Sequence, residues 1–310
     1  MKIRLGYACV PVTIEETSSH TITYTSYKKL GNKAKEKLDK VIKSNFKSLE
    51  NILNYNIKND IKFFRMTSEL LPLFNHPDVH YDFFNQYKDN YEIIGNIIKE
   101  NNLRLDIHPS AYTVLNSINP TVVNSTINML DSYRKIYEYM KIDSIIVLHV
   151  GGKVNGKKES IKRFIDNFNK LDEEIQKLIV IENDDISFNI RNVLSLCKQI
   201  NRPMVLDYHH FKINKNNEKI EDYIEKIFNT WNNMTPKIHF SSPRDKKNKR
   251  CHHDYIDSDD FIDFLEKVKF VNRDFDIMIE AKKKDEALFR LIRELKYKTN
   301  YQIEGTTIIM

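Results

Sequence analysis

Short apolar runs rich in Ile, Val, Phe and Leu alternate along the chain with longer stretches whose apolar residues recur every three or four positions. The first pattern is that of strands buried in a sheet, and the second that of helices with one buried stripe. Eight runs of strand length are present: Ile3–Ala8, Ile61–Met66, Leu103–His108, Ser144–Val150, Leu178–Glu182, Pro203–Asp207, Lys237–Phe240 and Phe275–Glu280. Between and after them the spacing predicts helices over Lys33–Tyr55, Tyr81–Glu100, Pro120–Met140, Glu159–Gln176, Asn189–Gln199, Ile220–Trp231, Asp259–Lys267 and Asp285–Tyr297. In the first of these, Leu38, Val41, Ile42, Leu49, Ile52 and Leu53 fall on one stripe and Lys and Glu fill the remainder. Runs such as SIIVLHV and LIVIE are apolar at almost every position, as parallel strands covered on both faces must be.

Eight strands alternating with eight helices predict an α/β fold, a single (β/α)8 TIM barrel spanning residues 1–310. An open doubly wound sheet would bring a Gly-rich phosphate turn after an early strand, yet the chain has seven glycines and no GxGxxG or P-loop pattern. Two connections are long, Cys9–Asn32 after the first strand and Ser241–Ser258 after the seventh. Both leave the C-terminal ends of strands, where barrels of this kind build their sites. The tail Gly305–Met310 is assigned to no element.

Composition narrows the class. With 41% hydrophobic and 30% charged residues the chain has a globular profile. No apolar run approaches the roughly 20 residues that span a bilayer, and the opening MKIRLGYACVPVTIEE has too short an apolar core for a signal peptide. Cys9, Cys197 and Cys251 are scattered and odd in number, without the spacing of a disulfide framework or zinc knuckle. A reduced, cytoplasmic protein without membrane contact is expected. The net charge of +6 is concentrated in places such as the run from Arg244 through Lys246, Lys247 and Lys249 to Arg250, which favours a polyanionic partner.

The chemistry lies in where ionisable residues fall. His108, His149, Glu182, Asp207, His239 and Glu280 sit in or at the ends of six different apolar strands, all directed to one rim. Such groups are costly to bury singly, and divalent cations neutralise them together. LDYHH adds either His209 or His210, and CHHDY in the seventh loop adds either His252 or His253, which spacing does not distinguish. His76, in Asn75-His76-Pro77 beyond the second strand, is placed as a mobile catalytic or phosphate-binding residue or as a plain loop histidine. Imidazoles and carboxylates without a nearby thiolate suit Mn²⁺, Zn²⁺, Co²⁺ or Fe²⁺ better than Mg²⁺ alone. The ligands outnumber the needs of one ion, so two or three are expected, with Glu182 on a central strand able to bridge two. Clusters of this kind generate hydroxide and stabilise the attacking and leaving oxygens of a phosphodiester, making hydrolysis of that bond the natural reaction. Tyr7, at the end of the first strand, is expected to face the same rim. Lys237, two residues before His239, should point the same way and carry a depressed pKa that leaves a neutral amine.

The motifs IRLGYAC, TYTSYKKL, FRMTSELLPLFNHP, LDIHPSAYTVLN, VLHVGG, IENDD, LDYHH, PKIHFSSPR, HHDYID and MIEAKKKD span nearly the whole chain, and together they resemble the UV damage endonuclease family. The resemblance implies a DNA repair endonuclease that nicks duplex DNA immediately 5′ to cyclobutane dimers and 6-4 photoproducts, leaving 3′-hydroxyl and 5′-phosphate. It implies a metal cluster, typically manganese, held by His108, His149, Glu182, Asp207, His210, His239, His252 and Glu280. It places Tyr7, His76 and Lys237 around the scissile phosphate, Glu182 in the catalytic centre, and a carboxylated amine on Lys237. The loop after His108 would probe the lesion by a flipping logic. Where some members carry Gln-Tyr, this chain has Ala111-Tyr112, so stacking survives and the glutamine's hydrogen bonds do not. Pro11 likewise stands where some members have Asn. Damaged double-stranded DNA is the expected partner of a monomeric, nucleoid-associated protein. An endonuclease for abasic sites on the same barrel, and more remotely a metal-dependent sugar isomerase, are the competing expectations.

Overall fold

The computed structural model describes residues 1–310. Eight parallel strands, β1 (Lys2–Ala8), β2 (Phe63–Met66), β3 (Arg104–Ile107), β4 (Ile145–His149), β5 (Ile179–Glu182), β6 (Met204–Asp207), β7 (Lys237–Phe240) and β8 (Phe275–Ile279), pair in sequence order. Because β1 bonds to both β2 and β8, the sheet closes into the (β/α)8 barrel that the alternation predicts. The longest helices, Ala34–Lys58, Lys88–Glu100, Pro120–Met140 and Lys284–Lys298, bury their apolar stripes against the outer wall.

The elements differ from the sequence expectation where local chemistry intervenes. The stretch Glu159–Gln176 is two helices, Lys157–Phe168 and Glu173–Leu178, because the chain turns between them to bury Leu171. The helical pattern over Tyr81–Glu100 begins at Lys88, since Asp82 accepts from the amides of Phe84 and Asn85 and holds the preceding residues in a turn. A helix Tyr208–Ile213 starts directly at the end of β6, capped by Asp207 Oδ1 accepting from the His210 amide at 2.7 Å. The unassigned tail forms a hairpin, β9 (Gln302–Glu304) and β10 (Thr307–Ile309), and β10 runs antiparallel to the lower half of β1. Along the same edge β2 pairs only with Gly6–Ala8, so two strands share one side of β1.

The barrel interior is divided. On the β4–β6 side Ile145, Val147, Val180 and Val205 pack with Trp231, whose indole donates to the Met204 carbonyl at 2.7 Å. On the opposite side the lower interior is charged. Asp276 accepts from Arg4 at 2.6 and 2.7 Å and from Arg104 at 2.5 Å, and above it Lys237 donates to Asp106 at 2.7 Å. Gly6 lets β1 approach β2 here, because a Cβ at this position would collide with the Phe63 carbonyl. Gly6→Ala should therefore force the two strands apart and cost about 1–3 kcal/mol, as overpacking does. A chemical denaturation midpoint equal to that of the unaltered protein would contradict this.

Candidate metal centre

Alternation along each strand sends every second side chain inward, and the last inward position of each strand lies at the mouth. Glu182 occupies the centre of that ring, almost fully buried, with four imidazoles around it. His108 Nε2 lies 2.8 Å from Oε2 and His149 Nε2 lies 3.6 Å from it, while His239 Nδ1 and His210 Nδ1 are 3.1 and 3.4 Å from Oε1. Burial alone would raise the Glu182 carboxyl, but His239, His149 and the hydrogen-bonding His108 and His210 hold it well below the usual carboxylate range. Asp207 Oδ2 is 3.5 Å from His210 Nδ1, Glu280 Oε1 is 3.4 Å from His239 Nδ1, and His252 Nδ1 is 3.9 Å from Glu280 Oε2. Burial and the neighbouring carboxylates Glu182 and Glu280 push the Asp207 carboxyl well up despite His210, whereas His210 itself is raised to about 11, burial being outweighed by Asp207 and Glu182.

These residues fit a metal cluster. Three triads, His108–Glu182–His239, Glu182–Asp207–His210 and Asp207–His239–Glu280, each place their ligand atoms within 4.8 Å of one another. Asp207 Oδ2 and His239 Nδ1 face the cluster and are buried without a hydrogen-bond partner, which is costly unless something else satisfies them. The set of nitrogen and carboxylate donors is the one expected of borderline divalent ions. Of the two histidine pairs that spacing leaves open, His210 turns to Glu182 while His209 packs edge-on against His252 at 5.5 Å between ring centres. His253 is exposed and receives the Tyr255 amide on Nδ1, leaving His252 as the imidazole of that loop near Glu280.

Other expected positions lie elsewhere. Tyr7 does not face the rim. It has the parity of Ile3 and Leu5, points into the helical layer, and donates its hydroxyl to Asn56 Oδ1 at 2.8 Å. Lys237 has the parity of His239 but sits one layer lower, where the Asp106 carboxylate holds its proton. Burial lowers it to about 8 against the opposing pull of Asp106, the depression expected of a lysine directed into the barrel. His76 stacks on Tyr24 with ring centres 3.7 Å apart and makes no contact with the cluster. Tyr112 is 87% exposed beside an exposed Ala111, projecting from the loop after β3. The seventh loop folds back as a hairpin, with Arg244 N donating to Cys251 O at 2.7 Å and His253 N to Ser242 O at 2.8 Å. It displays Lys246, Lys247 and Lys249 to solvent, while Arg244 lies 4.0 Å from Asp245 and Arg250 is engaged by Asp185.

Arg65 is a member of the site that the apolar pattern conceals. It points inward from β2, is buried, and meets Glu280 Oε1 at 2.6 Å and His239 Nε2 at 2.8 Å. Its signal in the sequence is a lone cation inside the four-residue strand Phe63–Met66, with the same parity as Phe63.

Comparison with known proteins agrees with the geometry. Residues 3–308 match the family described as UV-endonuclease UvdE. Over 301 residues, 95% of both chains, the sequence is 40% identical to the UV DNA damage endonuclease of Bacillus cereus strain B4264. It is 38% identical, over the same share of both chains, to that of Bacillus anthracis strain A0248. Among solved structures, SacUVDE superposes with a TM-score of 0.88 at 34% identity, covering 95% of this chain and 98% of that one. Endonuclease IV from Thermus thermophilus, at 11% identity and a TM-score of 0.57 over 95% of this chain and 99% of that one, shares the fold.

The Lys237–Asp106 pair supports the cluster from beneath. Asp106→Asn leaves the Lys237 ammonium buried beside a neutral amide and should destabilise the protein by about 3–5 kcal/mol. Asp106→Leu with Lys237→Met should recover most of that loss. Equal denaturation free energies for Asp106→Asn and the unaltered protein would contradict the pairing.

Proposed function

The chain belongs to the UV-endonuclease UvdE family and is a DNA repair endonuclease for UV damage, and we propose that it nicks duplex DNA immediately 5′ to cyclobutane dimers and 6-4 photoproducts. The observation that carries the chemistry is a buried carboxylate, Glu182, surrounded by four imidazoles. His108, His149, Glu182, Asp207, His210, His239, His252 and Glu280 would hold two or three divalent ions, with Mn²⁺ the best match to the donors. Such ions, when bound, would lower the pKa of water and stabilise both the attacking and the leaving oxygen; with the 3′ oxygen as the leaving group, the products carry 3′-hydroxyl and 5′-phosphate.

The protein's own groups do the remainder. Glu182 keeps its charge under burial and can bridge two cations. Tyr112, exposed on the loop next to His108, is available to stack in the gap left by extruded bases, and Ala111 beside it offers no side-chain hydrogen bond to a lesion. Unstacking a damaged site costs less than unstacking an intact one, which supplies part of the selectivity. Lys246, Lys247 and Lys249 face solvent and can bind backbone phosphates, with Arg244 at the loop's base. His76, stacked with Tyr24 on the second loop, is the remaining phosphate-handling candidate. Tyr7 could join it only by giving up Asn56, and a carboxylated Lys237 would have to displace Asp106 as its partner.

Incision of end-labelled duplexes bearing a cyclobutane dimer, a 6-4 photoproduct, an abasic site or no lesion tests the assignment. Cleavage 5′ to the photoproducts is expected, abolished by chelator and restored by Mn²⁺; cleavage confined to abasic sites would replace this reading with that of an abasic-site endonuclease. Glu182→Gln should reduce nicking by more than the roughly 10–100-fold that loss of a partner outside the ligand shell costs, while duplex binding persists. Near-normal nicking would remove Glu182 from the centre. Replacing Lys246, Lys247 and Lys249 by Gln should weaken binding to damaged and undamaged duplex alike. It should also flatten the slope of log K against log salt by about 0.9 for each phosphate no longer neutralised. An unchanged slope would show that the loop does not touch the backbone.

A further inference from the structure

Arg65 stands between two proposed ligands, and its geometry has consequences for how ions load. Its Nη1 donates to Glu280 Oε1 at 2.6 Å, and its Nη2 lies 2.8 Å from His239 Nε2. A guanidinium has donors only and does not lose its proton in proteins. His239 Nε2 must therefore offer a lone pair, and in the neutral ring the proton then sits on Nδ1. Yet Nδ1 is the atom turned towards the cluster, 3.1 Å from Glu182 Oε1 and 3.4 Å from Glu280 Oε1, and it has no hydrogen-bond partner of proper geometry. An ion coordinated by Nδ1 requires the lone pair there. The ring proton would then be on Nε2, facing the N–H of Arg65 at a donor-to-donor distance that neither group tolerates. No cation donates to the rings of His108, His149 and His210, so each keeps a nitrogen with a free lone pair, which in His210 is Nε2 because Nδ1 faces the Asn183 carbonyl. His108 Nδ1 and His210 Nδ1 lie 3.0 Å from the carbonyls of Pro109 and Asn183, and His149 Nδ1 has no partner.

We propose that Arg65 is a positioning residue that occupies the place of a cation between His239 and Glu280 and must swing away for that position to bind metal. The ion held by His239 and Glu280 is therefore the last to load and the weakest, while positions built on Glu182 with His108, His149, Asp207 and His210 fill first. Arg65 keeps the mouth near charge balance until the last ion arrives, and its displaced guanidinium, still at the floor of the site, becomes free to pair with an incoming phosphate oxygen. The inference rests on the metal-dependent function proposed above and adds the order of loading and the residue that sets it.

Calorimetric titration of the metal-stripped protein with Mn²⁺, checked by the paramagnetic resonance signal of free Mn²⁺, reads this without activity. The unaltered protein should show at least one tight and one weak step. In Arg65→Gln, which keeps a hydrogen-bond donor and removes the charge, the weak step should tighten at least about tenfold while the tight step moves less than about threefold, the range expected when one neighbour of a metal ligand changes. Both steps shifting alike, or the weak step weakening, would overturn the proposal. Absence of any Mn²⁺ binding by the unaltered protein would instead sink the metal centre itself, and this inference with it. Should Arg65→Gln not fold, a crystal structure of the unaltered protein with Mn²⁺, its ions located by anomalous scattering, decides the matter. Arg65 should lie beyond hydrogen-bond distance of His239 Nε2 wherever an ion sits on Nδ1, and an ion there with Arg65 still in contact would refute the exclusion.

Discussion

Closing eight parallel strands into a barrel imposes one rule on this sequence: every second side chain must fit inside, and what it finds there depends on its height along the axis. At the mouth the rule gathers His108, His149, Glu182, Asp207, His239 and Glu280 from six strands or strand ends. Lower down, the same parity brings Lys237, Asp106, Arg65, Arg104, Arg4 and Asp276 together on one side and leaves valine, isoleucine and tryptophan on the other. Of the four imidazoles around the central carboxylate, three come from strands or strand ends and the fourth, His210, from the short helix that follows β6. The loops bring in His252 and cover the rim.

The buried charges form a column rather than isolated pairs. Asp276 is shared by Arg4 and Arg104, Asp106 pairs with Lys237, and Arg65 links Asp106 upward to Glu280 and His239. Where both members are buried, as for Lys237 with Asp106, removal of one strands the other in a medium of low polarity, so that part of the column resists piecemeal change. The column also couples the ring of candidate metal ligands to the floor of the barrel electrostatically. An apolar filling of the kind found near β4–β6 would have held the strands together equally well without fixing the charge beneath the site.

Much of this is legible in the sequence, for a physical reason. Strands buried on both faces leave nearly continuous apolar runs, so an acid or histidine at the end of one stands out, and helical stripes identify the packing face. What the pattern misplaces follows from treating strand ends as points. Tyr7 follows Ile3 and Leu5 in the alternation KIRLGYA, which already assigns it to the outer face. Lys237 shares the inward parity of His239 but lies about 6.6 Å lower, at roughly 3.3 Å per residue, enough to exchange the mouth for the interior. Arg65 hides among apolar neighbours in a strand too short to show its alternation. His209 and His210, or His252 and His253, are not separable by spacing because a helix begins at Tyr208 and a hairpin encloses His252, and neither is visible as periodicity over so few residues.

Asp207 illustrates how one side chain can answer two separate demands at once. One of its oxygens starts the helix that carries His210, and the other is left for the cluster. Asparagine would keep the cap and forfeit the anion; glutamate would keep the anion but overreach the cap. Each single-step escape from aspartate loses one of two unrelated requirements, so the residue is held by the intersection of a folding demand and a chemical one. The apolar residues of the same strand, Met204, Val205 and Leu206, answer only to packing, so one such side chain can exchange for another without touching either demand.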